Sequence, residues 1–389
     1  MGSYNPYSQS PDYDNDTIMN SDQTSSSASN SDPLLGFRIY MCFYGKDPSA
    51  PKKTMSSNWI EYYEPSNNTC RRLCSIPGLI ENHVLKGFTM VAVADSIFII
   101  GGKLCRKAAA NDDDDVEIFD LEVRSSVLRY NLGNNTWSKC ASLRVPRFDF
   151  ACAVGDDGKI YVAGGKCALG SGSGVPSAEV YDPGLDEWAP LPDMSTPRYK
   201  CVGVTWQGRI HVVGGFAGVE GSFAVKERCS ADVLECDRAT WNLVEGMWQL
   251  DVPPNQIVAV EDKLFSSGDC LKAWKGHIEV YDGKLGIWNE VDGSNFEPIS
   301  SPVSTSDATR ANWPPMRRLY LTMAPIGTYL YFLVGHRKPG EIAKSISAVH
   351  VFDTSTSGDE CGWMSFEPVE EDGLKELCSH CCVGILQVT

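Results

Sequence analysis

Along most of the chain, short apolar runs alternate with breaks rich in glycine, proline and charge, and the pattern recurs at a near-constant interval. Three runs end in a glycine pair. Ile97-Phe98-Ile99-Ile100 precedes Gly101-Gly102, Ile160-Tyr161-Val162-Ala163 precedes Gly164-Gly165, and Ile210-His211-Val212-Val213 precedes Gly214-Gly215. The second and third pairs lie 50 residues apart. Another apolar run precedes each, at 90–93, 151–154 and 201–204. Runs of this length bounded by turn residues predict strands rather than helices. A third strand is expected to end in an aromatic and a turn residue: Tyr130-Asn131, Tyr181-Asp182, Tyr281-Asp282 and Phe352-Asp353, with Cys236-Asp237 a degenerate version and Tyr63-Glu64 one more. A fourth begins at a tryptophan: Trp137, Trp188, Trp241 and Trp288, spaced by 51, 53 and 47 residues, with Trp363 in the same role.

A period near 50 with four short strands per unit resembles the kelch motif, and the resemblance covers residues 37–389. It implies an all-β fold, a kelch β-propeller. Antiparallel sheets twist and pack face to face around an axis. The glycines permit a sharp exit and a close backbone approach, while Tyr and Trp fill the space between sheets. The fourth repeat has Ser267-Gly268 where the pair is expected, and the fifth has Gly335-His336. These motif residues are assigned structural roles only.

Five repeats run from about residue 84 to 368. The C-terminal run 378–383 reads as one more first strand. Runs at 38–43, 59–63 and 69–73 supply the other three strands of that unit. The expectation is six blades, closed by strands from both termini, which leaves no open sheet edge in the ring. Residues 1–36 are rich in Ser, Asn and Asp and are expected to be a disordered tail.

Net charge is −16, which argues against a nucleic-acid or anionic-membrane partner. No apolar stretch is long enough for a membrane-spanning helix, and no secretory signal is visible at the start. The expected location is cytoplasmic or nuclear. The 15 cysteines are then expected to be reduced and to serve as small buried hydrophobes.

Strands within a blade alternate direction, so connections between second and third strands share one end with those joining blades. The former are long here, at 103–124, 166–177, 216–231 and 336–345, and long connections on a rigid scaffold are usual recognition sites. These and neighbouring connections carry Lys103, Arg106, Lys107, Lys166, Lys226, Arg228, Lys272, Lys275, Arg337 and Lys338; the inter-blade turns add Arg147, Arg198, Arg317 and Arg318. Together they predict a locally basic face that grips an acidic or phosphorylated segment of a partner protein. Two other readings are ordinary solvated charges and, for the Pro-Arg repeats at Arg147 and Arg198, a recurring structural ion pair. The acidic run 111–115 interrupts the face, and residues 292–315 are expected to form a long excursion between blades.

Catalysis is not expected, and no cofactor is assigned. The chain has six histidines, and His211 and His350 fall within strands. That composition and the missing secretory context fit poorly with the copper oxidases built on this fold. Plant specifier proteins of the kelch class bind iron through two acids and a histidine. The nearest arrangement here is Asp372, Glu376 and His380, with the acids exchanged, and it defines the alternative reading: an iron-dependent kelch enzyme acting on a small molecule. Cys378, Cys381 and Cys382 beside His380 resemble a zinc cluster in composition, but a strand would point Cys381 and Cys382 to opposite faces. The nearest resemblance is to plant F-box/kelch-repeat proteins, in which an F-box docks a ubiquitin ligase and the propeller binds the target. The polar segment before the first strand is not read as an F-box. The expected function is therefore a non-catalytic, monomeric protein-binding module, linked by resemblance to ubiquitin-ligase substrate recognition.

Overall fold

The computed structural model describes residues 34, 36–46, 57–109, 116–217, 228–250, 252–270, 277–292, 318–338, 341, 344–356 and 362–386. The all-β expectation holds. Four repeats form four-stranded antiparallel sheets in simple up-and-down order. In the second repeat the order is Ala151–Val154, Ile160–Ala163, Ala178–Asp182 and Glu187–Leu191. The fifth repeat is five-stranded, because Val369–Asp372 joins Trp363–Ser365 along the outer side of Lys344–Asp353. The reading of six blades takes each repeat sheet, and the terminal sheet described next, as one blade.

The two ends of the chain share a sheet. Lys375–Ile385 pairs antiparallel with Phe37–Gly45, which pairs with Trp59–Glu64 and then Thr69–Ser75. Leu34 and Gly36, placed in the tail from sequence, touch this sheet: the Phe37 N–H donates to Leu34 O and the Leu386 N–H to Gly36 O. The rest of the tail and the 292–315 excursion lie outside the described residues, except Asp292.

Hydrophobic clusters sit between successive sheets. Tyr40, Ile60, Met90 and Ile97 join the terminal sheet to the first repeat. Val91, Phe98, Tyr181 and Trp188 join the first to the second. Met41, Phe43, Tyr320 and Tyr331 join the fifth back to the terminal sheet. The aromatic positions thus fill inter-sheet space as expected. Tyr130, Tyr181 and Tyr281 lie directly opposite Trp137, Trp188 and Trp288 across a strand pair. Three tryptophans also tie one sheet to its predecessor through the indole N–H: Trp188 to Ala141 O, Trp241 to Pro192 O and Trp288 to Met247 O, at 2.8–2.9 Å. In the third repeat the residue opposite Trp241 is Leu234, not a member of the Cys236-Asp237 pair. Without an aromatic at the strand end, the residue order points to a turn two residues later than the one observed.

The glycine pairs have a definite reason. Gly101, Gly102, Gly164, Gly165, Gly214 and Gly215 all have φ between +63° and +96°. A Cβ on Gly101 would stand 2.6 Å from Arg147 O, and one on Gly164 would stand 2.7 Å from Arg198 O. The next repeat's arginine backbone occupies that space: the Gly102 N–H donates to Arg147 O at 2.8 Å and the Gly165 N–H to Arg198 O at 2.7 Å. The arginine side chains then turn into their own repeat. Arg147 donates to Gly164 O, Ser177 O and Glu179 Oε1, the last at 2.7 Å. Arg198 donates to Gly214 O, Ser230 O and Asp232 Oδ2, the last at 2.8 Å. Both guanidinium groups are 0% exposed.

Removing one partner from such a buried pair strands the other's charge. Arg198→Ala is expected to lower unfolding free energy by about 3–5 kcal/mol in urea denaturation of the full chain. The paired change Arg198→Met with Asp232→Leu is expected to cost much less. Equal losses would show that the pair itself carries the stability. Gly164→Ala, at a backbone conformation that disfavours a side chain, is expected to cost about 1–3 kcal/mol.

Candidate functional site

The first strands of the repeat sheets, with Lys375–Ile385, surround a cavity of about 780 Å³ lined by 87–92, 149–150, 152–154, 200–205, 253–259, 319–321 and 376–383. Its polar lining includes Asp149, Lys200, Glu376 and His380. Burial pushes the Asp149 carboxyl up. Glu376 is held below the usual carboxylate range, against its own burial, by Lys86 and Lys46, whose ammonium groups lie 3.1 and 3.0 Å away. A smaller cavity of about 310 Å³ lies between the terminal sheet and the fifth repeat. There Lys375 sits between Glu61 and Glu371 at 2.7 and 2.6 Å, with the Phe43 ring 4.6 Å from its ammonium.

The end of the molecule carrying the second-to-third connections is more structured than a set of loops. The first connection, 103–124, is a hairpin of Lys103–Ala109 and Val116–Val123, and His83–Lys86 adds to it as a third strand. Asn58 fixes this small sheet to the terminal sheet through both its amide atoms, to Leu85 O at 2.9 Å and from the Leu85 N–H at 2.7 Å. Tyr44 of the terminal sheet packs against Val84 and Cys105 of the small sheet. The last connection, 336–345, is mostly a continuation of strands Tyr329–Arg337 and Lys344–Asp353.

The expected basic face fares differently residue by residue. Arg147 and Arg198 are buried, so the ion-pair reading describes them and a partner cannot reach them. Lys107 is 4% exposed and its ammonium is depressed by burial. Lys103 pairs with Asp120 at 2.7 Å, and Lys338 pairs with Glu341 and Glu370 at 2.9 and 2.8 Å. The Lys166 ammonium stands 3.9 Å from the centre of the Tyr199 ring. Arg106 is exposed and lies over the Phe119 ring; Arg318 is exposed at the start of its strand; Arg228 and Arg337 are half-buried. Lys226, Lys272, Lys275 and Arg317 lie outside the described residues, as does the acidic run 111–115. Sequence shows where charges fall but not that strand-forming neighbours will carry them inward.

Asp372, Glu376 and His380 do not converge. Asp372 is exposed opposite Lys344, Glu376 takes the two lysines, and among the described residues no group of three His, Cys, Asp or Glu side chains could hold a metal. Cys381 packs toward the fifth repeat and Cys382 toward the first, on opposite faces as a strand requires. No described cysteine is in a disulfide. Cys42, Cys105 and Cys201 are buried, but Cys70, Cys167, Cys236 and Cys270 are exposed, so the small-hydrophobe role covers only some of them.

Repeats of four antiparallel strands with glycine-pair exits, Tyr–Trp cross-strand pairs and inter-sheet clusters define a kelch-repeat β-propeller. The kelch motif family model matches residues 147–195, which runs from the buried Arg147 to Ser195. F-box/kelch-repeat protein SKIP30 of Arabidopsis thaliana is 30% identical over 335 residues, covering 85% of this chain and 79% of the relative. Two further F-box/kelch-repeat proteins of the same plant are 33% identical over 241 residues and 28% identical over 237. Those matches cover 60% and 61% of this chain but little more than half of each relative, 57% and 54%. The chain belongs to the F-box/kelch-repeat protein family.

Burial lowers His211, His350 and His380 to a pKa of about 4, against an ordinary 6.5. Each binds more protons unfolded than folded between those values, so stability is full above pH 6.5 and falls as pH drops toward 4. The urea midpoint is expected to be lower at pH 5 than at pH 7, and less so in His211→Gln. A midpoint that does not fall with pH would show that these rings are already protonated or solvated in the fold.

Proposed function

We propose that the chain is a non-catalytic receptor that captures a target protein at the end carrying the second-to-third connections and presents it to ubiquitin-ligase machinery. The observation that carries this reading is the first connection. A folded three-stranded sheet, fixed to the terminal sheet by Asn58 and Tyr44, replaces a loop at that end. Rigid placement of variable surface is what recognition needs. The motif residues, by contrast, are used up in packing between sheets, and Arg147 and Arg198 in ion pairs within their own repeats. Membership of the F-box/kelch-repeat family supports the interaction role and suggests the ligase context. The receptor acts as a single copy in the cytosol or nucleus. A partner need not be acidic or phosphorylated, since Arg147 and Arg198 are unavailable to it.

Site-specific photocrosslinking tests the reading. A photoreactive side chain at Lys166 or Arg106 is expected to capture a defined protein whose half-life lengthens when the receptor is depleted. The same group at Leu185 or Leu285, at turns between third and fourth strands, is expected to capture none. Equal capture at both ends would overturn the assignment of the face. Capture without any change in half-life would remove the ligase role.

A further inference from the structure

Strand Val116–Val123 is the outer member of the small sheet. It pairs with Lys103–Ala109 on one side, and among the described residues no strand lies on the other. Eight residues is long for an open edge, whose unpaired N–H and C=O groups form a template for a further strand. Folded proteins usually blunt such edges. This one presents Phe119 and Leu121, 44% and 43% exposed, while Ile118 packs inward with Tyr44, Val84 and Cys105.

Charge selects the occupant. Val116–Val123 carries Glu117, Asp120 and Glu122 and no Lys or Arg. Asp120 pairs with Lys103 and Glu122 with Arg124, while Glu117 has no ion pair among the described residues. A second copy of this strand would set carboxylates against carboxylates. The N-terminal segment is a poor occupant too, because no Lys or Arg precedes Arg38. Opposite charge across a strand pair is favourable and like charge is not.

We propose that Val116–Val123 is a strand-addition site. It takes an extended segment of a partner protein, with cations alternating with apolar side chains, as the fourth strand of this sheet. Backbone hydrogen bonds supply much of the affinity, Phe119 and Leu121 cover the apolar side chains, and the strand's acidic charge, with Glu117 the carboxylate that has no ion pair among the described residues, selects Lys or Arg. The inference deepens the receptor reading and rests on it.

The probe is a labelled octapeptide of alternating Lys and Val, added to the full chain at about 0.15 M salt. Fluorescence anisotropy is expected to show binding, and amide hydrogen exchange is expected to slow at 116–123. The same peptide N-methylated at every backbone amide is expected not to bind. The variant Phe119→Lys with Leu121→Lys, folded by circular dichroism, is expected to bind at least about tenfold more weakly. Equal binding of the N-methylated peptide would overturn strand addition in favour of charge attraction alone. Protection of 116–123 without peptide, in a dimer, would name a second copy as the occupant and overturn the proposal. Absence of peptide binding would overturn it as well. That result leaves the photocrosslinking experiment untouched, so the receptor reading stands or falls separately.

Discussion

The fold depends on a buried arginine that belongs to two sheets at once. Arg147 and Arg198 lend their backbone carbonyls to the glycine pair of the preceding repeat and their guanidinium groups to the glycine carbonyl and third strand of their own. Taking such a charge out of water is expensive. The geometry answers that with several acceptors for each guanidinium, and the carboxylates are used further. Glu179 also accepts the N–H groups of Arg144 and Val145, and Asp232 accepts that of Ser195. The glycines are what allow the arginine backbone so near.

Where this unit is missing, other contacts take its place. In the fourth repeat Pro253 stands at the arginine's place, with Asn255 two residues on. The Asn255 side-chain nitrogen donates to Ser267 Oγ at 3.1 Å, while the Asn255 N–H reaches Gly268 O. Gln256 reaches across to the fifth repeat through Met323 N and O, both at 2.7 Å. In the fifth, Gly335 lies against the Tyr320 ring, whose hydroxyl meets Ser347 Oγ at 2.9 Å. The fourth repeat thus keeps the task of joining neighbouring sheets, through Gln256, with different chemistry, while the substitutes in the fifth stay within one sheet.

Much of this was legible in the residue order, because strand length, glycine pairs and Tyr–Trp spacing are local signals. The terminal sheet was legible for the same reason, since strand-like runs at both ends lacked partners. Two features were not. Burial of Arg147 and Arg198 depends on carboxylates about 30 residues onward, at Glu179 and Asp232, and a Pro-Arg pair looks the same whether it faces water or protein. The small sheet is hidden in the residue order because the run 111–115 separates two of its strands and Lys103, Arg106 and Lys107 break the apolar pattern of Lys103–Ala109. The alternation Phe119-Asp120-Leu121-Glu122-Val123 is the available sign of a strand, and it is outweighed by the charges around it.

Pairing of Phe37–Gly45 with Lys375–Ile385 also sets the order of events at the ribosome. Phe37–Gly45 emerges about 330 residues before its inner partner, Lys375–Ile385. At 5–20 residues per second that interval is roughly 20–70 s. Throughout it the strand's inner edge, flanked by Tyr40, Cys42 and Phe43, has no mate. A nascent chain of this design stays exposed to misassociation until Lys375–Ile385 is made, and a message truncated before those codons would yield a ring that cannot shut.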